Sequence, residues 1–300
     1  MGTPLIAIIT RTKDRPRFLA RAIDSVLAQG ARDWVHVIVN DGGDRAAVER
    51  AVAQAASRYE GRAQVVHLDE SIGRGAAANA GVAASKSTLL VFHDDDDTWA
   101  PGFLERAVAA WRATGAKGVV TRSERVIERL DGERFVEVRR EPFFPELEAV
   151  SLPLLARDNC FVNLAFLLER RAFEAVGPFD AELPVYEDWD FNLRFLLRHD
   201  VHVVPEVLAR YHHREGGQGA AGNSFAQERA RVAAARARLV NRWLRNPDTQ
   251  AVGLLLALGP TLDAVDGVRE RVDKLFNLLH GARRRFPLRQ LESWLGRGDD

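Results

Sequence analysis

Four consecutive aspartates, Asp94 to Asp97, stand one residue after a wholly apolar run, Leu89 to Phe92, with His93 between. Carboxylates this crowded stay ionised together only where a cation or water screens them. Hard oxygen donors gathered in one place suit magnesium or manganese, which take one or two carboxylates and fill the rest of their shell with water and substrate phosphates. The competing reading is a solvated acidic loop, and the buried-type strand in front of the run argues against it. A second acidic pair, Glu187-Asp188, opens the amphipathic segment Glu187 to His199. The dipole of a helix start favours the ionised form of a carboxylate there. A plain helix-start acid looks the same in sequence. Cys160 is the single cysteine, set in an apolar stretch, and reads as an inert buried thiol. One cysteine excludes an internal disulfide and a multi-cysteine zinc site, and points to a reducing cytosol.

These groups need elements to position them. Leu5 to Ile9 is a continuous β-branched run, followed by the polar loop Thr10 to Asp14 and a helix opened by Pro16. A strand at Val35 to Val39 ends in Asn40-Asp41-Gly42-Gly43-Asp44, and a helix runs to about Tyr59. A strand at Gln64 to Leu68 precedes an Ala-rich helix from about Ala76 to Ala84, and Leu89 to Phe92 delivers the aspartates. Strand alternating with helix predicts an α/β fold with a doubly wound, mainly parallel sheet and ligands at the carboxyl ends of its strands. Asp14, Asp41 and Asp94 to Asp97 should therefore converge on one crevice. After a helix at Phe103 to Thr114, a strand is expected at Val119 to Thr121 and a hairpin at Arg125 to Val138 around Asp131-Gly132. Further strands are expected at Asn163 to Leu168, Val201 to Val204 and Val207 to Tyr211. Helices then fill Phe225 to Leu244 and Leu254 to Leu279, with a basic cluster at Arg283-Arg284-Arg285.

Two familiar patterns fit less well. Asp94, Asp96 and Thr98 match the D-x-D-x-T of phosphatases that form an aspartyl-phosphate, but no lysine lies between Lys117 and Lys274 to complete that site. Gly73-Arg74-Gly75-Ala76-Ala77-Ala78 matches G-x-G-x-x-A. In a dinucleotide fold, however, the strand runs straight into the first glycine, and here Asp69-Glu70-Ser71 intervene.

The totals set outer bounds. Three hundred residues, 46% hydrophobic and 28% charged, suit one large domain and an appendage. Lys plus Arg and Asp plus Glu are both 42, so no global field favours nucleic acid. The opening MGTPLIAIIT lacks the basic n-region and cleavage site of a signal peptide. The longest apolar candidate, Val252 to Leu258, falls short of the ~18 residues of a membrane span, so no transmembrane segment is expected. The expected location is cytoplasmic, with the inner face of the membrane as the alternative.

Taken together, the loops resemble the family 2 glycosyltransferases of the GT-A fold. The resemblance rests on Thr10-Arg11 after the first strand and on Val39-Asn40-Asp41-Gly42-Gly43, similar to V-x-D-G-S. It rests also on Gly73 to Gly81 leading to Asp94-Asp95-Asp96-Asp97-Thr98-Trp99, similar to D-x-D-D-x-W. The last match is Val176 to Asp180 followed by Glu187-Asp188-Trp189-Asp190 and Arg194. It implies a metal-dependent, inverting transfer of a sugar from a nucleoside-diphosphate sugar to a hydroxyl of a glycan or other acceptor, in glycan or polysaccharide synthesis. Thr10, Arg11 and Asp41 would hold the nucleotide, with Arg74 and Asn79 near the ribose or diphosphate. Asp94 and Asp96 would be the metal-binding D-x-D pair for Mn2+ or Mg2+, Asp94, Asp95 and Asp97 would contact the donor, and Asp188 would be the base. His213 would reach the metal or diphosphate, with His212 its rival. His93 and Gly43 depart from the family pattern.

The expected division is a GT-A catalytic domain over 1–216, nucleotide-sugar side 1–122 and acceptor side 123–216, then a helical extension over 217–300. A nucleotidyltransferase of similar topology is the alternative enzyme, but Leu5 to Arg17 lacks the glycine-rich triphosphate loop it needs. A non-catalytic nucleotide-sugar or glycan-binding module is the third reading. Peripheral membrane contact and self-association through the C-terminal helices stay open.

Overall fold

The computed structural model describes residues 2–132, 134–215 and 229–285. Its first part alternates β1 (Ile6–Thr12), α1 (Pro16–Leu27), β2 (Trp34–Asp41), α2 (Arg45–Gln54), α3 (Ala56–Tyr59), β3 (Ala63–Leu68), α4 (Arg74–Ala83) and β4 (Leu89–Phe92). Then come β5 (Thr98–Trp99), α5 (Phe103–Thr114), β6 (Gly118–Asp131), β7 (Arg134–Phe143), α6 (Leu152–Arg157) and a 3-10 turn (Asn163–Ala165). The chain continues through β8 (Phe166–Glu169), α7 (Arg170–Val176), α8 (Glu187–Leu196), β9 (Val201–Arg214), α9 (Arg229–Arg245) and α10 (Gln250–Arg285).

One mixed sheet runs β3-β2-β1-β4-β8-β6-β9-β5, with β7 paired to β6. β3, β2, β1 and β4 are mutually parallel, and β8 enters antiparallel between β4 and β6. The apolar β1 and β4 are buried along their length because helices cover the sheet. Each large aliphatic side chain so buried contributes about 1.5–3 kcal/mol relative to exposure. α1 starts on Pro16, whose missing N–H costs nothing there, and turns Phe18, Leu19, Ala22, Ile23 and Val26 inward. The glycine-rich run of α4 serves packing: a Cβ at Gly81 would strike Ile9 and Val39, so the helix lies close on β1 and β2.

The later half departs from the sequence reading in several places. The hairpin at Asp131-Gly132 forms, but β6 begins at Gly118 and β7 reaches Phe143. The two expected strands after His199 are one strand, β9, whose register against β6 shifts between Thr121 and Ser123. The expected strand at Asn163 to Leu168 is a 3-10 turn followed by β8. The domain boundary expected at residues 216–222 lies outside the described residues, as do the side chains of Arg283 to Arg285. The expectation of no membrane-length apolar stretch is corrected: residues 250–274 of α10 are long and apolar enough, by length and composition, to cross a membrane. Pro260, Asp263 and Asp266 interrupt the run and hid it from sequence reading. This helix packs on the rest of the chain, burying Val252 and Leu256, and Arg157 grips Asp263 (2.8 Å) and Asp266 (2.6 Å).

Candidate active site

Strand ends build the site. At the end of β1, Arg11 reaches into the crevice while Thr10 turns inward. Thr10 is fully buried, its hydroxyl 2.8 Å from Nε2 of His36, which in turn meets the Tyr59 hydroxyl. The side chain expected on the nucleotide is thus engaged inside the sheet, and Thr12 lines the cleft instead. Asp14 likewise stays outside the cleft lining and accepts from the Asp44 backbone N–H. The crevice has a volume of about 680 Å³, and Asp41, Asp94 to Asp97, Asp188 and His213 all line it.

The aspartates leave β4 with alternating burial. Asp94 and Asp96 keep 32% and 18% of their side chains exposed, whereas Asp95 and Asp97 are buried. Arginines from other elements meet them. Arg11 pairs with Asp94 (2.7 Å), Arg15 with Asp95 (2.9 Å) and Asp96 (3.2 Å), and Arg214 with Asp96 (2.7 Å). Thr12 donates to Asp95 at 2.7 Å, and Asp97 accepts from the His212 backbone N–H at 2.8 Å. Burial and the neighbouring Asp96 push Asp95 and Asp97 above the usual carboxylate range. Asp96 is held low because Arg15 and Arg214 outweigh its burial.

The two adjacent histidines separate cleanly. His212 spends both ring nitrogens on structure, Nε2 toward Thr98 Oγ1 (2.9 Å) and Nδ1 toward Glu128 (2.9 Å). Glu128, buried on β6, also takes Arg21 at 2.7 Å. His213 lines the cleft with Nε2 buried and without a hydrogen-bond partner. Burial, then Arg125 and Arg214, lower its pKa to about 4, so the ring is neutral and its lone pair available at pH 7.

Across the cleft, α8 presents its first turn. Glu187 is wholly buried and pairs with Arg74 (3.1 Å) and Arg11 (3.5 Å). Arg11 therefore bridges the acid run and the helix start. Asp188 faces the cleft, and its carboxylate accepts from the Trp189 N–H at 2.7 Å. Burial first and the Glu187 charge second raise its pKa to about 6, against the pull of Arg74. Trp189 is buried with its indole N–H on the Leu155 carbonyl (2.6 Å), and Trp99 is buried and stacked on Phe103.

Asp41 and Asn79 have protein partners of their own. Asp41 accepts from Ser71 Oγ (2.9 Å) and the Ile72 and Gly73 N–H groups (2.7 and 3.2 Å), fixing the loop before α4. Asn79 does not line the cleft: its amide donates to the Phe179 carbonyl (2.8 Å) and accepts from the Phe179 N–H (3.0 Å). Cys160 is buried, its thiol pushed up to about 12. Among the described residues no group of three or more His, Cys, Asp or Glu side chains forms a ready metal cage. Asp94, Asp96 and the free Nε2 of His213 nevertheless supply hard oxygen and imidazole donors in one cleft. They fit a cation that brings phosphate oxygens as its remaining ligands. Glu128 and Asn163 carry no mark in the sequence, whereas Glu187 stands beside Asp188 in the acidic pair.

Comparison with known proteins follows the same lines. The family model described as Glycosyl transferase family 2 matches residues 7–176. The chain is 29% identical over 213 residues to the uncharacterized glycosyltransferase YwdF of Bacillus subtilis (strain 168), covering 71% of this chain and 75% of that one. It is 26% identical over 198 residues to the putative colanic acid biosynthesis glycosyl transferase WcaA of Escherichia coli (strain K12), covering 66% and 68%. In fold it is similar to the mannosyltransferase PcManGT from Pyrobaculum calidifontis in complex with GDP-Man and Mn2+. That match has a TM-score of 0.61 and 16% identity, over 98% of this chain and 84% of the other.

Proposed function

This chain belongs to glycosyl transferase family 2, and from that premise we propose that it moves a sugar from a nucleoside diphosphate to an acceptor hydroxyl with inversion, in glycan or polysaccharide synthesis. The observation that carries the reading is the single cleft shared by the Asp94–Asp97 run and Asp188, bridged by Arg11. Asp94, Asp96 and His213 would hold Mn2+ or Mg2+ together with the donor diphosphate. When bound, the cation supplies Lewis-acid stabilisation to the departing nucleoside diphosphate. Arg11, Arg15, Arg74 and Arg214 lie ready to share that negative charge with it. Asp188 takes the proton of the acceptor hydroxyl as that oxygen attacks the anomeric carbon from the side opposite the leaving group, and a single displacement inverts the centre. A pKa of about 6 keeps it ionised at neutral pH and basic enough to accept. Asp41 serves the nucleotide end, where its loop contacts hold it in place. The catalytic unit we propose for residues 1–216 is followed by the helices α9 and α10.

Support for the acceptor class comes from WcaA, a putative colanic acid biosynthesis enzyme by name. The test incubates the full chain with a panel of nucleotide sugars, with and without manganese or magnesium. Metal-dependent release of one nucleoside diphosphate is expected. Asp188→Asn should lower kcat by roughly 10²–10⁴ with donor affinity retained. Full turnover by that variant would refute the base assignment.

A further inference from the structure

One wall of the cleft is a segment no motif marks, running from the end of α6 into the 3-10 turn. Asn159, Phe161 and Asn163 on it line the cleft. Asn163 is 5% exposed, yet neither its Oδ1 nor its Nδ2 has a protein partner, and Oδ1 of Asn159 lacks one too. Buried side-chain amides are almost always satisfied, and one left open in a cleft calls for an explanation. Slack in the backbone is not the explanation. The next residue, Leu164, holds the Trp99 indole N–H on its carbonyl at 2.8 Å, so the turn is pinned beside the acid run. Asn192 and His93 are also unpartnered, but neither lines the cleft.

An amide presents one acceptor oxygen and two donor hydrogens side by side. A phosphate would use only the donors and set its charge against Oδ1, and the cleft already has arginines for that purpose. Two neighbouring hydroxyls, each donor and acceptor at once, satisfy both halves. We infer that Asn163, seconded by Asn159, is a hydroxyl-reading subsite that takes a pair of adjacent hydroxyls on a glycosyl unit. The inference rests on the transfer reaction proposed above. The glycosyl unit is either the transferred sugar or the terminal sugar of the acceptor, and the two are separable by experiment.

The test uses the full chain, wild type and Asn163→Ala, with the donor found in the nucleotide-sugar panel and its analogue lacking one ring hydroxyl. The variant should lose roughly 10–100-fold in kcat/KM for the full sugar and change little for the deoxy analogue, so discrimination collapses. Affinity for the nucleoside diphosphate alone should stay the same, and the thermal midpoint of the ligand-free protein should not fall, since no internal hydrogen bond is lost. Loss in donor hydrolysis without acceptor assigns the transferred sugar; loss only in transfer, as a raised acceptor KM, assigns the acceptor. Unchanged kcat/KM and unchanged discrimination overturn the inference while leaving the transferase reading intact. A wild-type chain that turns over no nucleotide sugar sinks both. Should Asn163→Ala not fold, Asn163→Asp carries the same comparison with the side-chain shape kept.

Discussion

Glu187 and Asp188 are adjacent residues with opposite employment. Glu187 is sealed between two arginines, and its charge helps lift Asp188 to a pKa of about 6. Asp188 as the proposed base must be ionised to act, so kcat/KM should fall about tenfold per unit as pH drops below about 6. A pH-rate profile checks this, and Asp188→Asn should abolish that limb together with most of the rate. A carboxyl whose folded pKa lies above its unfolded one binds protons more tightly when folded. Its ionisation thus opposes folding above about pH 6, and that opposition fades as pH falls toward the unfolded value near 4. Asp188→Asn should therefore melt higher than wild type at pH 7.5, by roughly 1–3 kcal/mol in unfolding free energy. The histidines give a second contrast. His212→Ala strips partners from Thr98 and buried Glu128 and should cost about 1–3 kcal/mol in urea unfolding. His213→Ala should leave stability alone and raise the metal concentration for half-maximal rate by roughly tenfold or more. Sequence could place both histidines at the site but not divide their labour, because the division depends on Glu128 and Thr98 arriving from other strands.

At the scale of elements, α8 is the part that must not move. Asp190, one residue beyond Trp189 and almost fully buried, accepts from Arg194 (2.8 Å), from Arg242 (2.6 Å) and from the Trp243 indole (3.1 Å). Arg242 also grips Asp180. α9 thereby holds the helix that presents Asp188. Arg242→Ala leaves Asp190 with two of three donors and should cost about 1–2 kcal/mol, with a lower kcat at unchanged donor KM; urea unfolding and steady-state kinetics measure the two effects. Period and punctuation made the early elements legible: β-branched runs of buried type, Pro16 opening α1, and Asp131-Gly132 turning the hairpin. The alternation rule also held the information that Thr10 faces inward beside Arg11, and the family pattern alone obscured it. The asparagine-bearing segment before β8 stayed dark because cleft position is set by long-range packing, which leaves no local period.

For the whole molecule, the C-terminal helices α9 and α10 pack into the same core as the sheet. Leu239, Trp243, Val252 and Leu256 are buried with the main core, and Arg236, Pro260 and Asp263 line the cleft. A chain cut after residue 215 should be inactive and unfold at lower urea than the full chain, seen by circular dichroism. On the far side of α10, Leu254, Leu258, Leu262, Val265, Val268 and Val272 stand exposed.

The aspartates proposed to meet the donor carry arginines already docked on them, within a chain of zero formal net charge. An incoming diphosphate thus finds cations that exchange one anion for another, and few dissolved counterions have to leave. Donor recognition should accordingly be almost indifferent to ionic strength, with KM shifting less than about threefold between about 50 and 200 mM salt.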